Sequence, residues 1–154
     1  SAYRLFFTTL ADAAGRPLLF HCTTGKDRTG WAAASLLLLL GVSEDDVMRD
    51  YLLTNEQLRP ALQPRFDAFA AGGGDPAVIE PVLGVREEYL ATSLSRMKEQ
   101  FGDVETYVVQ GLGVAPEVPT SCALRSSSGE PYSPSASGSR GGGAVRPRWR
   151  RAER

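Results

Sequence analysis

The stretch that decides the fold is LLFHCTTGKDRTGWAAASLLLL, residues 18–39. It opens with three apolar residues, continues through a polar loop that contains Gly25, and closes with an Ala- and Leu-rich segment that stops at Gly41. The apolar run at residues 18–20 predicts a short strand buried on both faces, and residues 29–40 predict a buried helix. The order of strand, loop and helix predicts an α/β fold with the loop at the junction.

Helical signals dominate the rest of the chain up to residue 114. Ser43, Asp75 and Asp103 are good N-cap residues, each just ahead of a helical pattern. Pro60 and Pro64 interrupt the pattern between residues 55 and 74, which predicts one or two short surface helices there. The predicted helices cover residues 3–14, 44–53, 76–83, 86–101 and a short stretch after Asp103. The chain is therefore expected to be mostly helical, with one strand leading into the loop.

The composition divides the chain at residue 114. Residues 1–114 carry 10 basic and 15 acidic side chains, whereas residues 115–154 carry 7 and 3 and are rich in Ser, Gly and Pro. The second stretch keeps no periodicity, which predicts a disordered tail. Contact of its Arg-rich end, residues 146–154, with nucleic acid or an acidic membrane is one interpretation. A solvated tail is favoured because no folded basic surface accompanies it, so no nucleic-acid partner is expected. Out-of-frame translation of a GC-rich gene is an alternative origin for this composition.

The counts of cysteine and histidine exclude several classes of site. One His and two Cys far apart in the chain do not supply a Cys/His zinc site, and we expect no metal and no other cofactor. His21 and Cys22 are neighbours, and successive strand side chains point to opposite faces, which argues against a Cys/His protease pair.

No membrane span or leader is indicated by the sequence. The longest apolar run, residues 31–40, is well short of the roughly 20 residues that cross a bilayer. Few cysteines and no signal-like start favour the cytoplasm, with secretion lacking a classical signal as the alternative.

The loop at residues 22–29 combines Cys, five residues, Arg and Thr. A loop of this length can turn its backbone N–H groups inward while the following helix adds its positive end, which forms a site for a phosphate-sized anion. The same field favours thiolate, so Cys22 is predicted to be a nucleophile at the floor of that site. Arg28 can hold two phosphoryl oxygens with its planar fork, and Thr29 can donate to the Cys22 sulfur. A buried Cys beside an ordinary surface turn is the alternative.

The pair Gly25-Lys26 also resembles part of a nucleotide-binding Gly-x4-Gly-Lys-Ser/Thr loop. Phe20 stands where that loop requires its first Gly, and Asp27 replaces the Ser or Thr that would bind magnesium. Nucleotide binding is therefore not supported.

Residues 21–30 resemble the signature of the cysteine-dependent protein tyrosine phosphatase superfamily. The Gly-Lys-Asp-Arg-Thr-Gly form is similar to a bacterial group, that of the mycobacterial protein tyrosine phosphatase B, and the likeness extends over residues 2–114. The resemblance implies a phosphotyrosine protein substrate, with phosphoserine, phosphothreonine or a phosphoinositide as further possibilities, and hydrolysis through a phosphocysteine.

The resemblance also implies roles for the loop residues. Cys22 would be the nucleophile and Arg28 the phosphate-binding residue. Lys26 would add charge for phosphoinositide headgroups, and His21 would support the loop by hydrogen bonding. The backbone N–H groups of residues 23–28 would complete the phosphate cradle. The predicted substrate-binding residues are therefore Thr23, Thr24, Gly25, Lys26 and Thr29.

Asp27 has two possible roles. An ionised Asp27 facing a phosphate dianion would be costly, since unit charges about 4 Å apart interact by roughly 4 kcal/mol at an effective dielectric of about 20. A protonated Asp27 could serve as general acid to the leaving oxygen, as is proposed for a loop Asp in similar enzymes. A salt bridge that shapes the loop is the equally favoured alternative.

Members of the family that this chain resembles carry a long segment ahead of this signature. That segment supplies most of the central sheet and a mobile loop with an Asp that acts as general acid. Residues 1–114 are therefore expected to be the C-terminal portion of such a domain. A chain extended N-terminally should be more stable and more active. The alternative function is a catalytically weak or silent phosphate-binding fragment. Residues 55–74 stand where the group often carries a helical lid, or else form a variable surface insertion.

Overall fold

A computed structural model describes residues 1–13 and 16–119 of the 154-residue chain. Five helices of at least eight residues follow one another, and the last is followed by one helical turn and a π-helical segment, Tyr107–Gly111. In chain order the helices are α1 (Ala2–Asp12), α2 (Asp27–Leu39), α3 (Glu44–Ala71), α4 (Pro76–Leu83), α5 (Glu87–Phe101) and α6 (Val104–Thr106).

The strand predicted at residues 18–20 is not confirmed. Residues 16–22 reach the loop without regular structure, and no strand is found anywhere in residues 1–13 and 16–119. A strand requires a neighbour that accepts and donates ladder hydrogen bonds, and no described segment supplies one. Leu19, expected to be buried, is 90% exposed. The described part of the chain is mostly helical, as predicted, but it lacks the strand of the expected α/β fold.

The prediction of short, interrupted helices around Pro60 and Pro64 is wrong. Helix α3 runs unbroken through both prolines for 28 residues. Each proline removes one backbone hydrogen bond and usually ends or kinks a helix. Side-chain hydrogen bonds span this stretch, because Arg59 Nε donates to Gln63 Oε1 (3.0 Å) and Gln63 Nε2 donates to Asp67 Oδ1 (2.8 Å). Both prolines are exposed, so water can reach the carbonyls that they leave free.

The predicted N-caps are confirmed. The side chains of Ser43, Asp75 and Asp103 each accept a hydrogen bond from a backbone N–H in the first turn of the helix that follows. These bonds satisfy donors that have no partner within the helix. Helix α5 ends at Gly102, whose φ of +83° is a conformation that favours glycine.

Two apolar clusters hold the helices together. The larger one joins α2, α3 and α5 through Ala34, Val47, Tyr51, Val85, Leu90, Leu94 and Met97. The smaller one is formed by Phe7, Val108 and Val114, and Val118 packs against it. Ordered packing therefore reaches past the predicted boundary at residue 114, while residues 120–154 of the predicted tail lie outside the described part of the chain.

Asn55 joins α3 to the segment between α4 and α5. Its Nδ2 donates to the Val85 carbonyl oxygen (2.9 Å), and its Oδ1 accepts from the Val85 N–H (2.8 Å). Val85 is 4% exposed, so its backbone groups depend on this side chain rather than on water. The preceding Gly84 makes room for it, because a Cβ there would lie 2.8 Å from Asn55 Oδ1.

We predict that Asn55→Ala lowers the free energy of unfolding by about 2 kcal/mol, since it leaves a buried N–H and a buried carbonyl without partners. Chemical denaturation followed by circular dichroism measures the change. Gln57→Ala, an exposed amide on the same helix, is the control and should be nearly neutral. Equal stabilities of the two variants would show that the Asn55 amide does not hold Val85.

Candidate active site

The candidate site is the loop that links the extended residues 16–22 to α2. Gly25 adopts a φ of +73°, which turns the chain so that its own N–H donates to Cys22 Sγ at 3.2 Å. Non-glycine residues rarely adopt that conformation. The loop runs directly into the first turn of α2, so the positive end of the helix lies beside the same sulfur.

The surroundings of Cys22 favour the thiolate. Partial burial by itself raises the pKa of the thiol, but hydrogen bonds from the Thr29 hydroxyl and from the backbone N–H groups of Thr29, Thr24 and Gly25 outweigh it. Together they lower the pKa of Cys22 from 9.0 to about 6. At neutral pH the sulfur is therefore mostly ionised.

The Thr29 hydroxyl is buried and makes no well-aligned hydrogen bond with any described residue. The same hydroxyl contributes to the lowered pKa of Cys22, because a hydroxyl proton rotates freely about its C–O bond and can be directed to the sulfur. No other described partner holds the Thr29 hydroxyl away from the thiolate.

Arg28 is held at the mouth of the loop. One terminal N–H of its guanidinium donates to Thr23 Oγ1 across the loop (3.1 Å), while the side chain stays exposed. The remaining donors of the planar group are available to an incoming anion. The structure thus brings Cys22, Arg28, Thr23 and Thr29 together, while their predicted roles stay predictions.

Lys26 and Asp27 form an ion pair, with Lys26 Nζ 2.9 Å from Asp27 Oδ1. Lys26 is buried at 7% exposure, whereas the Asp27 side chain is 56% exposed. A buried ammonium requires a partner, which Asp27 supplies. This geometry favours the salt bridge that shapes the loop over an exposed lysine free to meet a headgroup. The predicted catalytic role of Asp27 and the headgroup role of Lys26 stay predictions.

A cavity of about 300 Å³ opens beside Cys22. Four of the predicted loop residues line it: His21, Cys22, Arg28 and Thr29. The His21 ring N–H donates to the Cys22 carbonyl oxygen (3.1 Å). Its other walls are largely apolar and include Tyr3, Phe6, Phe20 and Ala32. Lys26 and Asp27 are not among the residues that line it.

The aromatic walls are functional candidates that the sequence analysis missed. Tyr3 and Phe6 lie one turn apart on α1, a spacing that predicts a core-facing stripe and gives no sign of a site. Burial, followed by the nearby Tyr107 hydroxyl, raises the pKa of Tyr3, and Arg28 partly opposes this. Tyr107 is itself held by a hydrogen bond from Trp31 Nε1 to its hydroxyl (3.0 Å). A signal could have been the position of α1 immediately before the extended segment that leads to Cys22.

A second cleft, of about 190 Å³, lies between α3 and α4. It is lined by Arg59, Phe66 and Glu80, among others, and by no residue of the loop. Arg59 is already occupied there by an ion pair to Glu80 (3.3 Å) and by the Phe66 ring, whose centroid lies 4.2 Å from the guanidinium carbon.

Within residues 1–13 and 16–119 no three His, Cys, Asp or Glu side chains form a group able to hold a metal. None of the described helices is long and apolar enough to cross a membrane.

We predict that Cys22 is alkylated as a thiolate with a midpoint near pH 6. The lowered pKa means that reactivity is nearly complete at neutral pH and is lost as the pH falls through about 6, whereas in the unfolded chain it should rise only near pH 9, the ordinary value for the thiol. Iodoacetamide labelling in a Cys122→Ser background isolates this sulfur.

Thr29→Val should move that midpoint upward, because the variant removes a hydroxyl donor and keeps the shape of the side chain. Thr24→Val is the matched control, since the backbone N–H of Thr24, and not its hydroxyl, acts on the sulfur. Equal midpoints for the two variants would remove the Thr29 hydroxyl from the site.

Comparison with known proteins places this loop in a family. The model of the tyrosine phosphatase family matches residues 1–123. A Cupriavidus necator protein provisionally named a tyrosine-protein phosphatase is 43% identical over 100 residues, which cover 65% of this chain and 37% of that protein. The triple specificity protein phosphatase PtpB of Mycobacterium tuberculosis is 40% identical over 111 residues, covering 62% of this chain and 39% of PtpB.

A tyrosine-protein phosphatase of Nostoc commune is 30% identical over 119 residues, which cover 73% of this chain and 40% of that protein. The chain thus spans about two fifths of the length of each of these relatives. The family match includes the whole loop, α2 and every helix after it. The chain therefore belongs to the tyrosine phosphatase family.

Proposed function

We propose that this chain carries the catalytic loop of a phosphatase that hydrolyses phosphate monoesters, phosphotyrosine in proteins first among them, through a phosphocysteine. The observation that carries the proposal is the set of donors around Cys22, which lowers the pKa of its thiol to about 6. A thiolate beside an exposed Arg28 is a nucleophile next to an anion-binding group.

In the first step Cys22 Sγ attacks the phosphorus. The S–P bond forms as the bond from phosphorus to the leaving oxygen breaks, and that oxygen takes up a proton. Arg28 can hold two of the non-bridging oxygens through its fork, and the N–H groups of the loop can bind the third. These donors are already directed to the site, so little reorganisation is needed as charge redistributes.

In the second step water attacks the phosphorus, its proton is lost, and the S–P bond breaks. The sulfur leaves as a thiolate, which the Thr29 hydroxyl and the loop N–H groups stabilise. The same contacts that lower the pKa of the free thiol therefore improve the leaving group. No cofactor takes part in either step.

The proton for the leaving oxygen is assigned to Asp27 in one form of the mechanism. For this role Asp27 must release Lys26 and turn toward the substrate, which its exposed position permits. In the other form the ion pair stays closed and only shapes the loop. Leaving-group dependence separates the two forms.

An aromatic substrate is favoured by the cavity beside Cys22. Tyr3, Phe6 and Phe20 line it, and the rings of Phe6 and Phe20 lie with their centroids 4.6 Å apart. Such walls can pack against a phenyl ring. One relative is named a triple specificity protein phosphatase, which supports more than one substrate class. Phosphoserine, phosphothreonine or a phosphoinositide are the further classes that we propose.

A phosphate-binding protein without turnover is the second candidate function. The closed Lys26–Asp27 ion pair supports it, because an Asp27 held in that pair cannot deliver a proton to the leaving oxygen. Single-turnover phosphate release separates the two candidates. An enzyme releases inorganic phosphate from a phosphotyrosine peptide, whereas a binder retains the intact peptide.

We predict that Cys22→Ser abolishes hydrolysis of a phosphotyrosine peptide but keeps measurable peptide binding, since serine is not ionised and Arg28 still holds the phosphate. Arg28→Lys keeps the charge but loses the bidentate fork, and we expect kcat to fall by at least about tenfold. Arg65→Lys, an exposed arginine on α3, is the matched control. Undiminished turnover in Cys22→Ser would rule out the phosphocysteine mechanism.

We predict that Asp27→Asn slows aryl phosphates with poor leaving groups more than activated ones, because an acid matters most when the leaving oxygen needs a proton. The slope of log kcat against leaving-group pKa measures the effect. If both classes slow equally, Asp27 shapes the loop and donates no proton.

A further inference from the structure

We propose that Tyr51, on α3, is a positioning residue for the Cys22 thiolate: its ring fixes Gly30, and through Gly30 it holds the donors of Thr29 against the sulfur. The inference rests on the proposed function in assigning Cys22 as the nucleophile. No motif in the loop indicates it, because Tyr51 comes from a different helix.

The ring of Tyr51 lies directly against the first turn of α2. Tyr51 is 6% exposed, and a Cβ added at Gly30 would lie 2.8 Å from its Cε2 and 3.0 Å from its Cδ2. Carbon atoms in ordinary contact stand farther apart, so any side chain at position 30 must displace either the ring or the helix. The absence of a side chain at Gly30 is what allows this close approach.

Gly30 is rigidly connected to the atoms around the sulfur. Its N–H donates to the Lys26 carbonyl oxygen (3.0 Å), which closes the first turn of α2 onto the loop. The residue just before it, Thr29, supplies both a hydroxyl and a backbone N–H to Cys22. A shift of a few tenths of an ångström at Gly30 therefore moves two of the donors that stabilise the thiolate.

Tyr51 stands behind the loop, on the side of α3. A cavity of about 110 Å³ lies between the loop and the N-terminal part of α3, with Gly25, Thr29 and Gly30 on one wall and Val47, Tyr51 and Thr54 on the other. Because packing around this cavity is incomplete, the ring contact at Gly30 is a major support of the loop from this side. Burial raises the pKa of Tyr51, and the charge of Asp27 adds to that effect.

An ordinary core role is the alternative, since Tyr51 also belongs to the larger apolar cluster. A residue that only fills the core changes thermal stability and leaves the sulfur unaffected. A positioning residue changes the pH at which Cys22 ionises. The two roles are therefore separated by a readout at the sulfur itself.

The test measures the pH midpoint of Cys22 alkylation by iodoacetamide, together with the melting temperature, in a Cys122→Ser background. Gly30→Ala and Tyr51→Leu should each raise the midpoint by about 1 pH unit, because each relaxes the donors at Thr29. Adding Gly30→Ala to Tyr51→Leu should cause no further rise, since the ring that the new methyl meets is gone. Tyr51→Phe, which keeps the ring, should retain the wild-type midpoint.

Leu94→Ala is the matched control, because Leu94 lies in the same cluster but on α5. It should lower the melting temperature and leave the midpoint unchanged. The inference is overturned if Tyr51→Leu behaves like Leu94→Ala, or if the two shifts simply add. Should Gly30→Ala alone not fold, the double variant decides: the proposal requires that it fold and share the midpoint of Tyr51→Leu.

Alkylation requires no turnover, so the result is independent of the proposed function. The wild-type chain could show the low midpoint and the Gly30–Tyr51 coupling but release no phosphate. That result would refute the proposed phosphatase activity and leave the positioning role of Tyr51 intact. A wild-type chain that releases phosphate without this coupling would refute only the role of Tyr51.

Discussion

The hydrogen bonds donated to the Cys22 sulfur are the interaction on which the rest of the site depends. They outweigh the cost of partial burial and lower the pKa of the thiol to about 6. The donors come from two kinds of structure: the turn at Gly25, and the first turn of α2 at Thr29. Ionisation of the sulfur at neutral pH therefore depends on the relative position of the loop and the helix.

That position is maintained by packing at some distance from the sulfur. Helix α2 packs against α3 and α5 in the larger apolar cluster. The ring of Tyr51 contacts α2 at Gly30, which has no side chain to intervene. Helix α3 is in turn tied to the segment before α5 by the two hydrogen bonds between Asn55 and Val85. The geometry around Cys22 thus depends on the packing of α3 and α5, which supply no residue of the loop.

The loop and most helices could be predicted from the sequence because their signals are local. The caps at Ser43, Asp75 and Asp103 act within one turn, and they were predicted correctly. The strand at residues 18–20 was not confirmed, because a strand needs a partner that no described segment provides. The prediction that the helix breaks at Pro60 and Pro64 was wrong. Local helix propensity does not reveal the side-chain hydrogen bonds that span the two prolines.

The site shows the same division between local and tertiary information. Cys22, Arg28 and Thr29 are close in sequence, and they lie in one loop and the first turn of the helix that follows it. Tyr3, Phe6 and Phe20 line the adjoining cavity, and Tyr51 supports the loop, only because separate elements pack there. Helical spacing marks such residues as core and does not indicate whether the core faces a sulfur.

Rapid-quench mass spectrometry of the chain during hydrolysis of an aryl phosphate tests the central claim most directly, because it asks which atom carries the phosphoryl group between the two steps. The account predicts a transient phosphoryl group on the peptide that contains Cys22, formed with the burst of released phenol and lost as inorganic phosphate appears. Phosphate release with no phosphoryl group on Cys22 at any time, or with the group on another residue, would contradict it.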